Sequence, residues 1–110
     1  MISNRTLEDF KRAGAYMRLL KTIFAKTYIE VSKVTRVHEY ENKLNAAEKR
    51  IDSVCSKAED NMFYAYPKLD DEYLDIFYGD ASAKPRNDVD REQLDLMQEL
   101  VKEAFGENWK

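Results

Sequence analysis

Apolar side chains recur at alternating spacings of three and four residues through the first third of the chain, which is the period of an amphipathic helix. This pattern predicts a long first helix over about residues 7–38, with Thr6 as its N-cap and Asp9 completing a capping box. The β-branched run over 27–37 would also suit a strand, but the helical period holds there while strict alternation fails. The predicted apolar stripe of this helix comprises Phe10, Ala13, Met17, Leu20, Phe24, Thr27, Val31 and Val34.

A second apolar stripe with the same spacing follows in the middle of the chain. If the first helix simply continued, this stripe would emerge on its charged side. We therefore predict a break near residues 38–42, with Asn42 as N-cap, and an antiparallel second helix over about 42–65. A continuous rod whose buried face changes sides is the alternative, and it would require an oligomer. The stripe comprises Tyr40, Leu44, Ala47, Ile51, Val54, Ala58 and Met62.

Two shorter helices are predicted after Pro67, which interrupts the second helix. The first covers about residues 68–78 and ends before Gly79, and a polar loop follows over 79–88. The last helix covers about 89–105, where Asp90 and Gln93 have the spacing of a capping box. The fold class is therefore all-α: one domain over 1–110, built as a long antiparallel helical hairpin plus two shorter C-terminal helices in an elongated bundle.

The length of the first helix bears on the oligomeric state. A helix of about 32 residues is about 48 Å long, whereas a compact domain of this size is only about 35 Å across. Either the domain is elongated, the helix breaks near Gly14, or a second chain covers the surplus apolar stripe. We expect an elongated homo-oligomer, with a dimer favoured.

Composition supports a folded helical protein and bears on its surroundings. Apolar residues make up 44% of the 110 residues and charged residues 35%, with three Gly and two Pro, which argues against disorder and against an all-β fold. No apolar run approaches the ~20 residues that span a bilayer, and residues 1–11 lack the apolar core of a secretory signal. With Cys55 as its one cysteine, the chain is expected in the cytoplasm, away from membranes.

Charge is divided unevenly between the two halves of the chain. The net charge is −3; residues 1–57 carry twelve Lys or Arg and seven Asp or Glu, giving +5, while residues 58–110 carry six and fourteen, giving −8. The two halves either pack together and neutralise each other, or each presents its own sign to a different partner.

Candidate chemistry is sparse. The chain has one histidine, His38, so an imidazole-rich metal site is not available, and it has no Gly-rich phosphate loop or nucleophile motif. Cys55 is predicted to be a buried thiol. Asp71 and Asp75 would share a helix face that suits a hard cation, but no further ligand can be identified. We therefore predict no catalytic residues, no metal and no cofactor.

The densest candidate surface is acidic and rich in tyrosine. Residues 63–80 hold six aromatic residues and five acids, and tyrosine is enriched where proteins bind each other. The first hypothesis is a non-enzymatic protein-binding module, an inhibitor or adaptor, whose acidic surface could mimic nucleic acid for its partner. The predicted contact residues are Tyr64, Tyr66, Asp70, Asp71 and Tyr78.

The alternative hypothesis is a nucleic-acid-binding protein. Cations of the first helix fall opposite its predicted apolar stripe, and one basic side of a rod would meet phosphates well. The overall acidity and the absence of aromatic stacking residues on that side argue against it. The predicted contact residues are Lys11, Arg18, Lys26, Lys33 and Arg36.

Overall fold

A computed structural model describes residues 5–78 and 84–106, and within those ranges the protein is all-α without a strand. Helix α1 spans Leu7–Ser32, α2 spans Val37–Ala65 and α3 spans Asp88–Phe105, with a 3₁₀ helix at Asp71–Asp75 between α2 and α3. Residues 79–83 of the predicted loop lie outside the described ranges. The predicted all-α elongated bundle is confirmed.

Helices α1 and α2 form an antiparallel hairpin. The Tyr28 and Tyr40 rings pack edge to face with centroids 5.5 Å apart, and Lys21 Nζ lies 2.9 Å from Asp52 Oδ1 further from the turn. Residues early in α2 thus contact residues late in α1, as antiparallel packing requires. The hairpin was predicted from the change in phase between the two apolar stripes.

The hairpin turn lies earlier than predicted, over residues 33–36. The Thr35 hydroxyl and backbone N–H both donate to the Val31 carbonyl, at 2.7 and 3.1 Å, which ends α1. Glu39 then accepts a 2.7 Å hydrogen bond from the Arg36 backbone N–H and closes the first turn of α2. Asn42 is therefore inside α2, and its prediction as N-cap was wrong because the hydrogen bonds of Thr35 and Glu39 already end α1 and begin α2 before it.

The buried side of α1 is rotated from the predicted one. Phe10, Gly14, Ala15 and Arg18 are buried, whereas Leu20, at the centre of the predicted stripe, is exposed. Gly14 explains the rotation: a Cβ there would clash with the Ile76 carbonyl oxygen and lie 2.6 Å from Ile76 Cγ2. Because glycine lets the segment after the 3₁₀ helix approach this closely, that side of α1 becomes the core.

The interior consists of two clusters that α1 connects. The larger brings α1, α2, the segment after the 3₁₀ helix and the start of α3 together around Phe10, Cys55, Met62, Ile76, Phe77 and Val89. The smaller packs α3 on α1 through Ala15, Met97 and Leu100. The predicted stripe of α2 is partly or fully buried except at Val54, whose place is taken by Cys55.

The C-terminal elements are shorter or better capped than predicted. The helix expected over 68–78 is only the 3₁₀ helix Asp71–Asp75, which starts where the Asp70 carboxylate accepts from the Glu72 backbone N–H at 3.0 Å. Helix α3 begins at Asp88, and its N-cap is Asn87, whose side chain accepts from the Asp90 N–H at 2.8 Å. The Asp90 carboxylate is thus free to make other contacts.

The molecule is longer than a compact domain of its size. Its principal dimensions are 47 × 33 × 28 Å and its radius of gyration is 15.7 Å, against about 13 Å for a compact domain of this length. The excess lies in the hairpin, because α3 and the 3₁₀ helix cover only one side and one end of it. Much of the opposite side of the hairpin is therefore open to solvent.

Candidate functional site

Arg18, predicted on a solvated basic face, is buried with 1% of its surface exposed. Its guanidinium Nη2 lies 2.7 Å from Asp90 Oδ1 and also donates to the Asp75 backbone carbonyl. Its Nε and Nη1 have no hydrogen-bond partner in the described ranges. The assignment of Arg18 to a nucleic-acid contact is therefore wrong, because Gly14 turns this side of α1 toward the core.

The other predicted nucleic-acid contacts do not form one continuous face. Lys11 Nζ is held 3.1 Å from Glu92 Oε1 on α3, and Lys33 Nζ lies 3.2 Å from Glu30 Oε2. Lys26 and Arg36 are exposed and make no ion pair among the described residues. Burial of Arg18 divides the predicted set, which leaves Lys11 near the start of α1 and Lys26, Lys33 and Arg36 toward the hairpin turn.

Two of the three predicted contact tyrosines are engaged within the protein. The Tyr66 hydroxyl donates to the Arg5 carbonyl at 3.0 Å, and its ring packs edge to face on Phe10. The Tyr78 ring lies under the Lys21 ammonium, 4.8 Å from centroid to Nζ. Tyr64 alone of the three is fully available, with 86% of its surface exposed.

The acidic residues of the same segment remain at the surface. Asp70 caps the 3₁₀ helix and, like Asp71, is exposed. The Asp75 carboxylate is 3.1 Å from Arg86 Nη2, so it does not stand beside Asp71 as a vacant cation ligand. Of the predicted protein-contact set, Tyr64, Asp70 and Asp71 form what is left of an accessible surface.

Cys55, which is fully buried, and Tyr78, which is half-buried, lie on either side of Lys21. Burial raises the pKa of the Cys55 thiol above its ordinary value, against the opposing effect of Lys21. Burial also raises the pKa of the Tyr78 hydroxyl, and Glu59 adds to this effect. Both side chains therefore stay protonated near neutral pH, and the prediction of Cys55 as a buried thiol is confirmed.

An uncovered row of mostly apolar residues runs along the outer side of α1. Its members, Ala13, Tyr16, Leu20, Ile23 and Thr27, are spaced by three, four, three and four residues, and all are exposed. Tyr16, Leu20 and Ile23 expose 41, 46 and 57% of their surfaces. We call this row the α1 seam. Its spacing is that of the contact positions of a coiled coil.

A groove between α1 and α2 begins at the seam. It encloses about 710 Å³, and Ala13 belongs both to the seam and to the groove. Its apolar floor is completed by Phe10, Val54, Ala58 and Phe77, while Arg5, Asp9 and Lys57 lie at its edges. Val54, which was predicted in the buried stripe of the second helix, lines this groove instead and exposes 58% of its surface.

Basic residues border this side of the hairpin on both helices. On α2, Lys43, Arg50 and Lys57 are exposed at intervals of seven residues, which is nearly two full turns, so they lie in one line along the helix, and Lys57 lines the groove. None of them makes an ion pair in the part of the chain that the structure describes. On α1, Lys26 directly precedes the seam residue Thr27 and is also exposed and unpaired there.

Three acidic residues near the same side are bonded within the chain. The Asp9 carboxylate accepts from the Thr6 backbone N–H at 2.9 Å, and this bond lowers the pKa of Asp9. Glu30 pairs with Lys33, and the Glu39 carboxylate accepts from the Arg36 backbone. The groove side of the hairpin is therefore apolar along its centre and carries an excess of unpaired cations at its edges.

Sequence reasoning missed this surface because it assigned three of the seam residues, Ala13, Leu20 and Thr27, to the buried stripe of the first helix. Two signals could have revealed it. One is the strict spacing of the seam within a wider apolar stripe, and the other is the seven-residue repeat of Lys43, Arg50 and Lys57 on the next helix.

No protein-family model, curated protein or solved structure matches this chain. Across residues 5–78 and 84–106, no three His, Cys, Asp or Glu side chains are grouped as a metal site would require. None of the helices in these ranges is long and apolar enough to cross a membrane. The class that the fold and surface define is an all-α helical hairpin with one uncovered apolar side.

Proposed function

We propose that the protein is a non-enzymatic protein-binding module, an adaptor or inhibitor, acting in the cytoplasm. The observation that carries the proposal is the α1 seam with its adjoining groove. An exposed, contiguous apolar surface of a few hundred Å² on a folded domain marks an interaction site. Leu20 and Ile23 lie at the centre of this surface, and polar and charged residues border it, as at protein interfaces.

The acidic segment is a second and smaller candidate for the same function. Tyr64 is almost fully exposed and precedes the exposed Asp70 and Asp71 by a few residues. With Tyr66 and Tyr78 engaged inside the protein, it offers one aromatic anchor instead of three. We therefore assign it a contributing contact beside the main surface on α1.

Affinity capture from an extract of the source cells, with the purified protein immobilised, tests this proposal. Leu20→Glu should abolish retention of the bound protein, because it places a charge at the centre of the seam. Leu74→Glu is the matched control: Leu74 is also half exposed, at 49%, but lies on the 3₁₀ helix away from the seam. The free energies of unfolding of both variants should lie within about 0.5 kcal/mol of the wild-type value, as is usual for substitutions at exposed positions.

The same experiment separates the competing hypotheses. Loss of binding with Leu20→Glu alone supports the seam, whereas loss with Tyr64→Ala alone would move the site to the acidic segment. The proposal would be contradicted if all variants retained the same proteins, or if the wild type retained no protein. A nucleic-acid shift that Lys26→Glu removes would favour the alternative function instead.

The dimer predicted from sequence would use the same surface. A second copy packed face to face would set the basic edges of one molecule against those of the other, which opposes pairing at low salt. Light scattering coupled to size exclusion measures this directly.

A further inference from the structure

The basic borders of the seam indicate the chemistry of the partner, and this inference rests on the proposed function. We infer that the groove side of the hairpin binds an acidic amphipathic helix. Such a helix would present an apolar stripe to the α1 seam and the groove, with Asp and Glu on both flanks of that stripe. It would pack along the hairpin as a third helix.

The spacing of the seam favours a helical partner over an extended one. Contacts at three and four residues match the knobs-into-holes packing of two helices, whose axes run about 8–10 Å apart. Binding of an extended peptide by strand addition would instead need a free strand edge, and the described ranges contain no strand. From Ala13 to Thr27 the seam covers about two heptads, or about 21 Å of helix.

The charge of the two edges favours an acidic partner. A helix lying on the seam would pass between Lys26 on α1 and the line of Lys43, Arg50 and Lys57 on α2. These four cations are exposed and unpaired among the described residues, while Asp9, Glu30 and Glu39 are bonded within the chain. In a two-helix groove these are the positions that meet the flanking e and g residues of a third helix.

Other occupants fit the same surface less well. A second copy of the chain would set its own basic edges against those of the first, and like charges repel. A flat anionic lipid surface satisfies the cations and the seam, but it cannot enter the groove over Val54 and Ala58. Duplex DNA satisfies the cations and leaves the exposed Leu20 and Ile23 against water. Only an acidic amphipathic helix satisfies the seam, the groove and both edges at once.

Fluorescence anisotropy with the full chain and three labelled synthetic helices tests this assignment. The peptides, each about three heptads long, share Leu and Ile at the contact positions and differ only in carrying Glu, Gln or Lys at the flanking positions. The Glu peptide should bind at least about tenfold more tightly than the Lys peptide at about 0.05 M salt. This ratio should fall at about 0.5 M salt, where exposed charges are screened.

Charge reversal on α2 provides the internal check. The triple variant Lys43→Glu, Arg50→Glu, Lys57→Glu should reverse the order and favour the Lys peptide. The matched control reverses three cations that are exposed elsewhere on the molecule and should keep the preference for the Glu peptide. Far-ultraviolet circular dichroism verifies that both variants remain helical. The control substitutions are Lys68→Glu, Lys84→Glu and Arg91→Glu.

The outcomes distinguish this inference from the proposed function. Equal binding of all three peptides, each abolished by Leu20→Glu, would overturn the acidic partner and leave the protein-binding proposal standing. If none of the peptides bound, both the acidic partner and the protein-binding role of this surface would be overturned. A dimer that Leu20→Glu dissociates, or binding to phosphatidylserine vesicles or duplex DNA as tight as to the Glu peptide, would overturn the assignment to an acidic helix.

Discussion

Gly14 decides at the residue scale which side of α1 is buried. A Cβ at this position would clash with the Ile76 carbonyl oxygen and lie 2.6 Å from Ile76 Cγ2. From the sequence, Gly14 indicated only a weak point in the helix, because glycine costs about 1 kcal/mol relative to alanine in a helix interior. The close approach of a distant segment could not be inferred from local spacing, so the phase of the core on α1 was predicted incorrectly.

Gly14→Ala should therefore destabilise the protein, although alanine is the better helix former. The contact with backbone at Ile76 cannot be relieved by a rotamer change, and overpacking of this kind costs about 1–3 kcal/mol. Urea unfolding measures the difference. Ala25→Gly, at an exposed position of the same helix, is the control for propensity alone and should lose about 1 kcal/mol. A more stable Gly14→Ala variant would contradict the packing described here.

The buried Arg18–Asp90 ion pair is a second single-residue contact on which the stability of the fold depends. Burial raises the pKa of Asp90, but the Arg86 backbone N–H and the Arg18 guanidinium outweigh burial and hold this pKa below its ordinary value. Since the folded-state pKa is the lower one, Asp90 contributes stability above about pH 4 that is lost as the pH falls through the folded-state value.

Asp90→Asn should cost about 3 kcal/mol or more at neutral pH, because it leaves Arg18 buried without its counter-charge. The variant should also lose less stability than the wild type on acidification below about pH 4. Adding Arg18→Met should recover part of the loss, since an apolar side chain of similar length needs no counter-charge. Denaturant unfolding over a pH series measures all three. If the free energies of unfolding of the wild type and Asp90→Asn fell equally with decreasing pH, this ion pair would not be the source of the acid sensitivity.

At the scale of elements, the N-cap of α1 was predicted correctly, whereas those of α2 and α3 were not. The Thr6 capping box is present as predicted, with the Asp9 N–H donating to Thr6 Oγ1 at 3.1 Å. Both partners of this box lie within one turn, so the local sequence contains its signal, whereas the N-caps of α2 and α3 depend on where the chain turns. The hairpin turn and the 3₁₀ helix depend instead on tertiary packing, and there the boundaries shifted by several residues.

Asn87→Ala should destabilise α3 by about 0.5–2 kcal/mol through loss of its N-cap. The Asn87 side chain accepts from the Asp90 N–H, so the cap also fixes the residue that pairs with Arg18. Thermal unfolding followed by circular dichroism measures the effect. Gln98→Ala, exposed within the same helix, should change the melting temperature little; equal effects of the two substitutions would rule out a specific role for the cap.

At the scale of the whole molecule, the uneven charge of the two halves has two consequences. Part of it is neutralised where α3 meets α1, in three ion pairs that join a cation of α1 to an acid of α3. Cations of α1 and α2 that are left unpaired lie on the side of the hairpin that α3 does not cover. Composition could predict the excess of each sign, but only the packing of α3 shows which cations are left unpaired. The three pairs are Lys11 with Glu92, Arg12 with Glu103, and Arg18 with Asp90.

A chain ending at residue 86 should lose cooperative folding, because it lacks α3. The hairpin would then expose Ala15 and leave the Arg18 guanidinium without Asp90. Denaturant unfolding and binding of a dye that reports exposed apolar surface measure the outcome, with the full chain as reference. A truncated chain that unfolds cooperatively with unchanged midpoint would show that the hairpin is stable by itself.

The three ion pairs between α1 and α3 join residues that are 72 to 91 positions apart in the chain. Loops of this length close slowly compared with a hairpin whose two helices are joined by a short turn. During synthesis, the first two helices emerge well before Asp90, so Arg18 must remain hydrated until the last helix is available. Removal of water from the Arg18 guanidinium is thus expected late in folding, when the C-terminal fifth of the polypeptide has been synthesised.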